Sequence, residues 1–337
     1  MAAMEFRPPD VVPLQVCAAP GGLHEHGQKL VDLVKACGHD FGDLTGLTLP
    51  APPGPEDRDP DGRYHAIRTD GWGTTWEYRI FGVWGHPLAR PLDDLSKLDS
   101  YVPPAVPRPE GPDFEAAKVA TAVHKRTYFS LAGTDCLLER MCALRRFEEV
   151  LMDIALDTPE INRIADIVCG VIAANARWGL ALDADAIAFG SDFGTQTALI
   201  VSPQAWRRFF KPRLRALFEP VLRAGKRICF HSCGQISAIL EDLREIGVDA
   251  IWPQLPLFDL RELSRICHDL RIAVQLHPDR GDLMQRGTPR QVRDYVHRLL
   301  DVFGTADGGS WLYIETDPGF PYANVEALFE TAMALRR

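Results

Sequence analysis

The chain has no CxxC pair, no GxGxxG after an early strand, no basic excess and no apolar run long enough to span a bilayer. Its eight cysteines, at 17, 37, 136, 142, 169, 229, 233 and 267, are dispersed, which suggests neither a disulfide framework nor a zinc ribbon. Most sit among apolar neighbours and are expected to be small core residues. Without the glycine-rich fingerprint, a dinucleotide-binding open sheet loses its main signature. A net charge of −9 argues against nucleic acid or an anionic membrane surface as the main partner. The N-terminus, MAAMEFRPPD, lacks a hydrophobic signal core. A cytoplasmic protein without a membrane span is therefore expected.

What is present is ordinary globular material: 337 residues, 46% apolar and 25% charged, enough for a large core. Residues 1–63 read as an N-terminal extension. It holds one helix near 27–37, a proline-rich loop (LPAPPGPEDRDPDG), and His24 and His26 in GGLHEHG, which read as a surface loop. Residues 64–79 are aromatic and β-like, with glycines flanking Trp72, and suggest a hairpin or meander. Trp72, Trp76, Tyr78 and Trp84 could line a pocket or pack in a core, and the pattern favours neither.

Beyond residue 126 the rhythm becomes regular. Strands are expected at 126–133, 186–190, 227–234, 250–255, 271–277 and 311–315, with helices between them. Thr158-Pro159, Ser202-Pro203 and Thr288-Pro289 each place a capping hydroxyl before a proline at the first helical position. Strands alternating with helices imply parallel βαβ units. About six clear repeats, with one or two further strands in the aromatic region, point to a (β/α)8 TIM barrel over 64–337.

In such barrels the chemistry gathers at the C-terminal strand ends. Those ends carry Asp192, then His231 and Cys233, then Gln254, then His277 and Arg280, and finally Glu315 and Asp317. His231 and Cys233 are two apart on a strand and share a face. With Glu315 and His277 they form a nitrogen, sulfur and oxygen set suited to zinc with one open position. Glu315 could instead pair with Arg280, and His277 is as suited to substrate as to metal. Asp192 is a candidate acid/base or substrate-positioning group, or a loop cap.

DGWGTTW (70–76), LLERMCALRRFEEVLMD (137–153), SDFGTQTALIVSPQAWRRFFKPR (191–213), HSCGQISAILEDLREIGVDAIWPQ (231–254), GTPRQVRDYV (287–296) and NVEAL (324–328) together resemble the uroporphyrinogen decarboxylase superfamily. The resemblance runs from about residue 70 to the end and implies a (β/α)8 barrel. One branch decarboxylates uroporphyrinogen without a cofactor, using an N-terminal arginine motif of the MRQAGR kind, which residues 1–60 lack. The other branch holds corrinoid-dependent methyltransferases, whose zinc is bound by HxC and a later cysteine. His231 and Cys233 match the HxC, but DPGFP (317–321) carries Phe320 where the later cysteine stands. Either Glu315 replaces that ligand or no metal is bound.

The reading that follows is a zinc-dependent methyltransferase or O-demethylase component. A methyl group would pass from a small methylated substrate to a corrinoid. No DxHxxG motif is present, so the corrinoid would be carried by a separate partner protein. Asp192 and Glu315 are the expected catalytic residues. Trp72, Gln196, Gln254, His277 and Arg280 are expected to bind substrate, and His231, Cys233, Glu315 and His277 to bind metal. A homodimer is the expected assembly. The alternative is a cofactor-free decarboxylase in which Arg280, Arg126 or His277 grips carboxylates and Asp192 handles the proton.

Overall fold

The computed structural model describes residues 1–336. Among the described residues there are ten strands: β1 (Leu14–Cys17), β2 (Ala66–Thr69), β3 (Thr75–Tyr78), β4 (His86–Ala89), β5 (Leu131–Cys136), β6 (Ala186–Gly190), β7 (Arg227–Ser232), β8 (Ala250–Pro253), β9 (Ala273–Leu276) and β10 (Ser310–Glu315). The chain forms two compact units. One comprises residues 1–66, 78–85 and 255–337, and the other 67–77 and 86–254.

In the first unit β10 pairs in parallel with both β1 and β9. All four β9 residues are buried, as are the first five of β10, as expected of parallel strands covered on both faces. Residues before 64, read from the sequence as an extension, supply β1. Leu14 lies opposite Leu312, and Cys17 opposite Glu315. GGLHEHG is not a surface loop: it belongs to the helix Pro20–His26, and His26 is buried. Gly22 explains the close fit, since a Cβ there would stand 2.2 Å from the Thr316 carbonyl oxygen.

In the second unit β5, β6, β7 and β8 pair in parallel in chain order. The helix Pro159–Ala181 packs on β5. Its Thr158 side chain accepts from the Ile161 N–H at 3.3 Å, as the Thr-Pro start implies. This helix does have the length and mean hydropathy of a membrane span, which the sequence reading did not credit. Ile161, Ile164, Ala165, Val168 and Ile172 are buried along it, the stripe of a core helix. Pro203–Arg223 is capped likewise by Ser202 and buries Trp206, Phe210, Leu214, Leu217 and Val221.

Two more expectations differ from the structure. The strand placed at 126–133 begins at Leu131, because the Arg126 and Tyr128 N–H groups donate to Val123 and His124 carbonyls and finish the preceding helix. The aromatic region supplies no eighth parallel strand. It forms a separate sheet ordered β2-β3-β4, with β3 and β4 antiparallel. The turn between β2 and β3 closes on Asp70, whose carboxylate accepts from the Trp72 and Thr74 N–H groups. Seven parallel strands are thus present among the described residues, not the eight of a closed barrel. The fold is α/β.

Candidate functional site

The alternation of β7 sets the site. Ile228, Phe230 and Ser232 are buried on one face, leaving Cys229, His231 and then Cys233 to the other. Gly190, the last residue of β6, lies opposite His231, and the two segments stay joined beyond the strand ends. The Ser191 N–H donates to the His231 carbonyl at 3.0 Å, and the Gly194 N–H to the Cys233 carbonyl at 3.2 Å. Their closest approach is between two glycines: a Cβ on Gly234, whose φ is +83°, would sit 2.0 Å from the Gly194 carbonyl carbon. Phe193 is driven in among Trp206, Phe210 and Phe230, and that anchors Asp192 beside it.

The result is a tight polar group. Asp192, His231 and Cys233 each place one ligand-capable atom within 4.8 Å of the others, and among the described residues they alone form such a group of three. His231 Nε2 lies 3.5 Å from Cys233 Sγ and 3.4 Å from Asp192 Oδ1. His231 Nδ1 is 2.9 Å from the Trp252 carbonyl oxygen. A carbonyl only accepts, so Nδ1 carries the hydrogen there and Nε2 faces the group. The Cys233 N–H donates to Asp192 Oδ1 at 2.8 Å.

Electrostatics match the geometry. Burial works against a charged His231, but Asp192 and Cys233 outweigh it and push the imidazole up to about 10. Burial also opposes ionisation of Asp192, and bonds from His231 and Cys233 nonetheless hold it below the ordinary carboxylate range. Glu139, on the helix Leu137–Leu144, accepts the Asp192 N–H. Burial first, and the Asp192 charge second, raise its pKa. Its other oxygen, Oε2, is buried without a hydrogen-bond partner. Sequence reasoning passed over Glu139; the available signal was a carboxylate beside Arg140 in the first turn of a helix, LLERM, just after a strand end.

The other expected residues fall as follows. Gln254 Oε1 accepts from the Gly234 N–H at 3.1 Å, next to the group. Gln196 is exposed on the 194–199 loop. Trp72 and Trp76 are buried: Trp76 donates to Asp70, and Arg140, paired with Asp70 and Asp135, lies over the Trp72 ring. Trp84 is exposed. Glu315 and His277 belong to the first unit, and neither is part of the three-atom group. Glu315 pairs with Arg280 at 2.8 Å and accepts from the Tyr313 hydroxyl at 3.2 Å. Arg280 is also bound by Asp317 at 2.7 Å, so both ends of its guanidinium already face carboxylates. His277 is buried, with Nδ1 2.9 Å from the Pro278 carbonyl oxygen. Phe320 is buried too.

The class defined so far is an α/β protein with parallel strands and a nitrogen, sulfur and oxygen group at two adjacent strand ends. Residues 129–335, more than half the chain, match the family described as uroporphyrinogen decarboxylase (URO-D). The chain belongs to that family. Its fold is similar to that of a methyltransferase from Methanosarcina mazei, at 15% identity and a TM-score of 0.64, with 100% of this chain and 97% of that one covered. A dihydropteroate synthase from Xanthomonas albilineans, with 4-aminobenzoic acid, matches 45% of this chain and 57% of its own at 17% identity and a TM-score of 0.34. The 3-keto-D-glucoside 4-epimerase YcjR from E. coli covers 62% and 99% at 12% identity and also scores 0.34. No curated protein matches the chain in sequence.

Proposed function

We propose that this protein is a zinc-dependent methyltransferase, an O-demethylase component that moves a methyl group from a small methylated substrate to a corrinoid on a separate protein. The observation that carries the reading is the Asp192, His231 and Cys233 donor set within 4.8 Å. Family membership and the fold likeness to a methyltransferase support it. One imidazole nitrogen, one sulfur and one carboxylate oxygen fit a zinc site that keeps a position open. When bound there, zinc would supply a Lewis acid able to polarise a substrate oxygen or acidify a thiol.

The chain's own residues do the rest. The Trp252 carbonyl fixes the His231 tautomer and aims Nε2. Glu139 holds the Asp192 backbone, and Asp192 in turn orients the Cys233 backbone. Asp192, kept ionised, serves as a ligand or a proton acceptor rather than a proton donor. Of the three groups that could grip a carboxylate in the decarboxylase alternative, Arg280 is already taken by Glu315 and Asp317, which weighs against that alternative.

The test is elemental analysis of the purified protein beside Cys233→Ala. About one zinc per chain is expected, and its loss in the variant. Protein that stays metal-free when zinc is supplied would sink the reading and return the decarboxylase to the front.

A further inference from the structure

Within the first unit a pocket of about 700 Å³ opens between the helices Leu260–Leu270 and Pro289–Phe303 and the short helix Asp282–Arg286. Its size falls in the range of small-molecule sites. None of its residues belongs to the Asp192, His231 and Cys233 group.

The lining is two-sided. Pro256, Phe258 and Leu283 offer apolar surface, while Arg261, Arg286 and Arg298 bring three guanidinium groups. Three aspartates also line it, so the formal charges balance, but the carboxylates are committed. Asp259 accepts the Arg261 and Glu262 N–H groups at its helix start. Asp279 accepts from Gly281 and Leu283, and Asp282 pairs with Arg286. Arg261 and Arg298 make no ion pair among the described residues. Tyr295 adds a donor, since burial and the Asp279 carboxylate push its hydroxyl up to about 12 and keep it protonated.

We propose that this pocket binds a small oxyanion, a phosphate or carboxylate carried on an apolar body, with Arg261 and Arg298 holding the anion and Pro256, Phe258 and Leu283 the body. Guanidinium forks match phosphate and carboxylate oxygens in pairs, and the Tyr295 hydroxyl supplies a third donor.

The test uses the full-length protein and three probes, phenyl phosphate, benzoate and inorganic phosphate, titrated by calorimetry or ligand-observed NMR. Phenyl phosphate or benzoate should bind in roughly the millimolar range, as ligands of that size do, and more tightly than inorganic phosphate. Whichever of the two binds more tightly identifies the anion. The double variant Arg261→Ala/Arg298→Ala should weaken binding about tenfold or more, with circular dichroism unchanged. The lysine pair, Arg261→Lys/Arg298→Lys, should recover part of it. Binding that ignores the alanine variant, or no binding by any probe, overturns the site. Inorganic phosphate binding as tightly as phenyl phosphate overturns the apolar half of the proposal. None of these readouts depends on zinc, so the site stands or falls apart from the methyltransferase reading.

Discussion

His231 gives the most direct check on the electrostatics of the site. In the metal-free protein its imidazole is held at about 10 against an ordinary value of 6.5, because Asp192 and Cys233 favour the charged form. A group whose pKa rises on folding stabilises the native state fully below its unfolded pKa and loses that contribution as pH climbs to the folded value. The window is therefore about pH 6.5 to 10, and stability should fall across it. At 1.36 kcal/mol per pKa unit the contribution is at most about 5 kcal/mol, and roughly 2–5 once coupling to two partners is allowed for. The assay is urea denaturation of chelator-treated protein at several pH values, with His231→Gln as reference so that other titrating groups cancel. The difference between the two proteins should shrink as pH rises from 6.5 to 10. A difference constant across that range, or an imidazole that NMR shows neutral at pH 8, would refute the account.

Two further outcomes follow from the geometry. Asp192→Asn should lower zinc affinity at least 10–100-fold, whereas Glu315→Gln, which removes a partner of Arg280 rather than a member of the donor group, should leave zinc content unchanged; competition with a chromogenic chelator reads both. Gly234→Ala should destabilise the protein by about 3 kcal/mol or more and lower zinc uptake with it, since the new Cβ meets the Gly194 backbone at 2.0 Å and the φ of +83° is disfavoured with a side chain; denaturation midpoints and metal content measure the two effects.

Much of the architecture was legible because the signals were local. Ser-Pro and Thr-Pro starts mark helices whose caps form as expected, and alternation along 227–233 puts His231 and Cys233 on one face. Strand 126–133 was misplaced because its boundary depends on how the previous helix ends, a matter of two carbonyl contacts. GGLHEHG read as a surface loop, yet it lies in a helix, and the second of its glycines is needed there, for a Cβ on Gly22 would meet the Thr316 backbone. The third member of the donor group was the hardest to assign. Asp192 and Glu315 both stand at strand ends, and nothing in the sequence says which one faces His231. The answer lies in register: Gly190 opposite His231 carries Asp192 to the imidazole, while Arg280 occupies Glu315.

The Asp192 placement bears on the kind of chemistry proposed. Two strands that remain hydrogen-bonded past their ends deliver three side chains from two short runs of backbone, 190–193 and 231–233, with no flexible loop between strand and ligand. A site built this way is fixed before anything binds, and preorganised ligands lose little on capture. Its composition differs from a set with two thiolates, because its third donor is the Asp192 carboxylate rather than a second sulfur. Oxygen is the harder donor, and sets with more oxygen and less sulfur favour harder partners. That leans the proposed substrate toward an oxygen-bound methyl group, an ether or a methoxylated compound, and away from a thiol acceptor. The same argument sets an order of preference among substrates. Methoxylated aromatics should be turned over with a corrinoid partner before methylated thiols are, and a clear preference for the thiol would show that the carboxylate does not shape the site in this way.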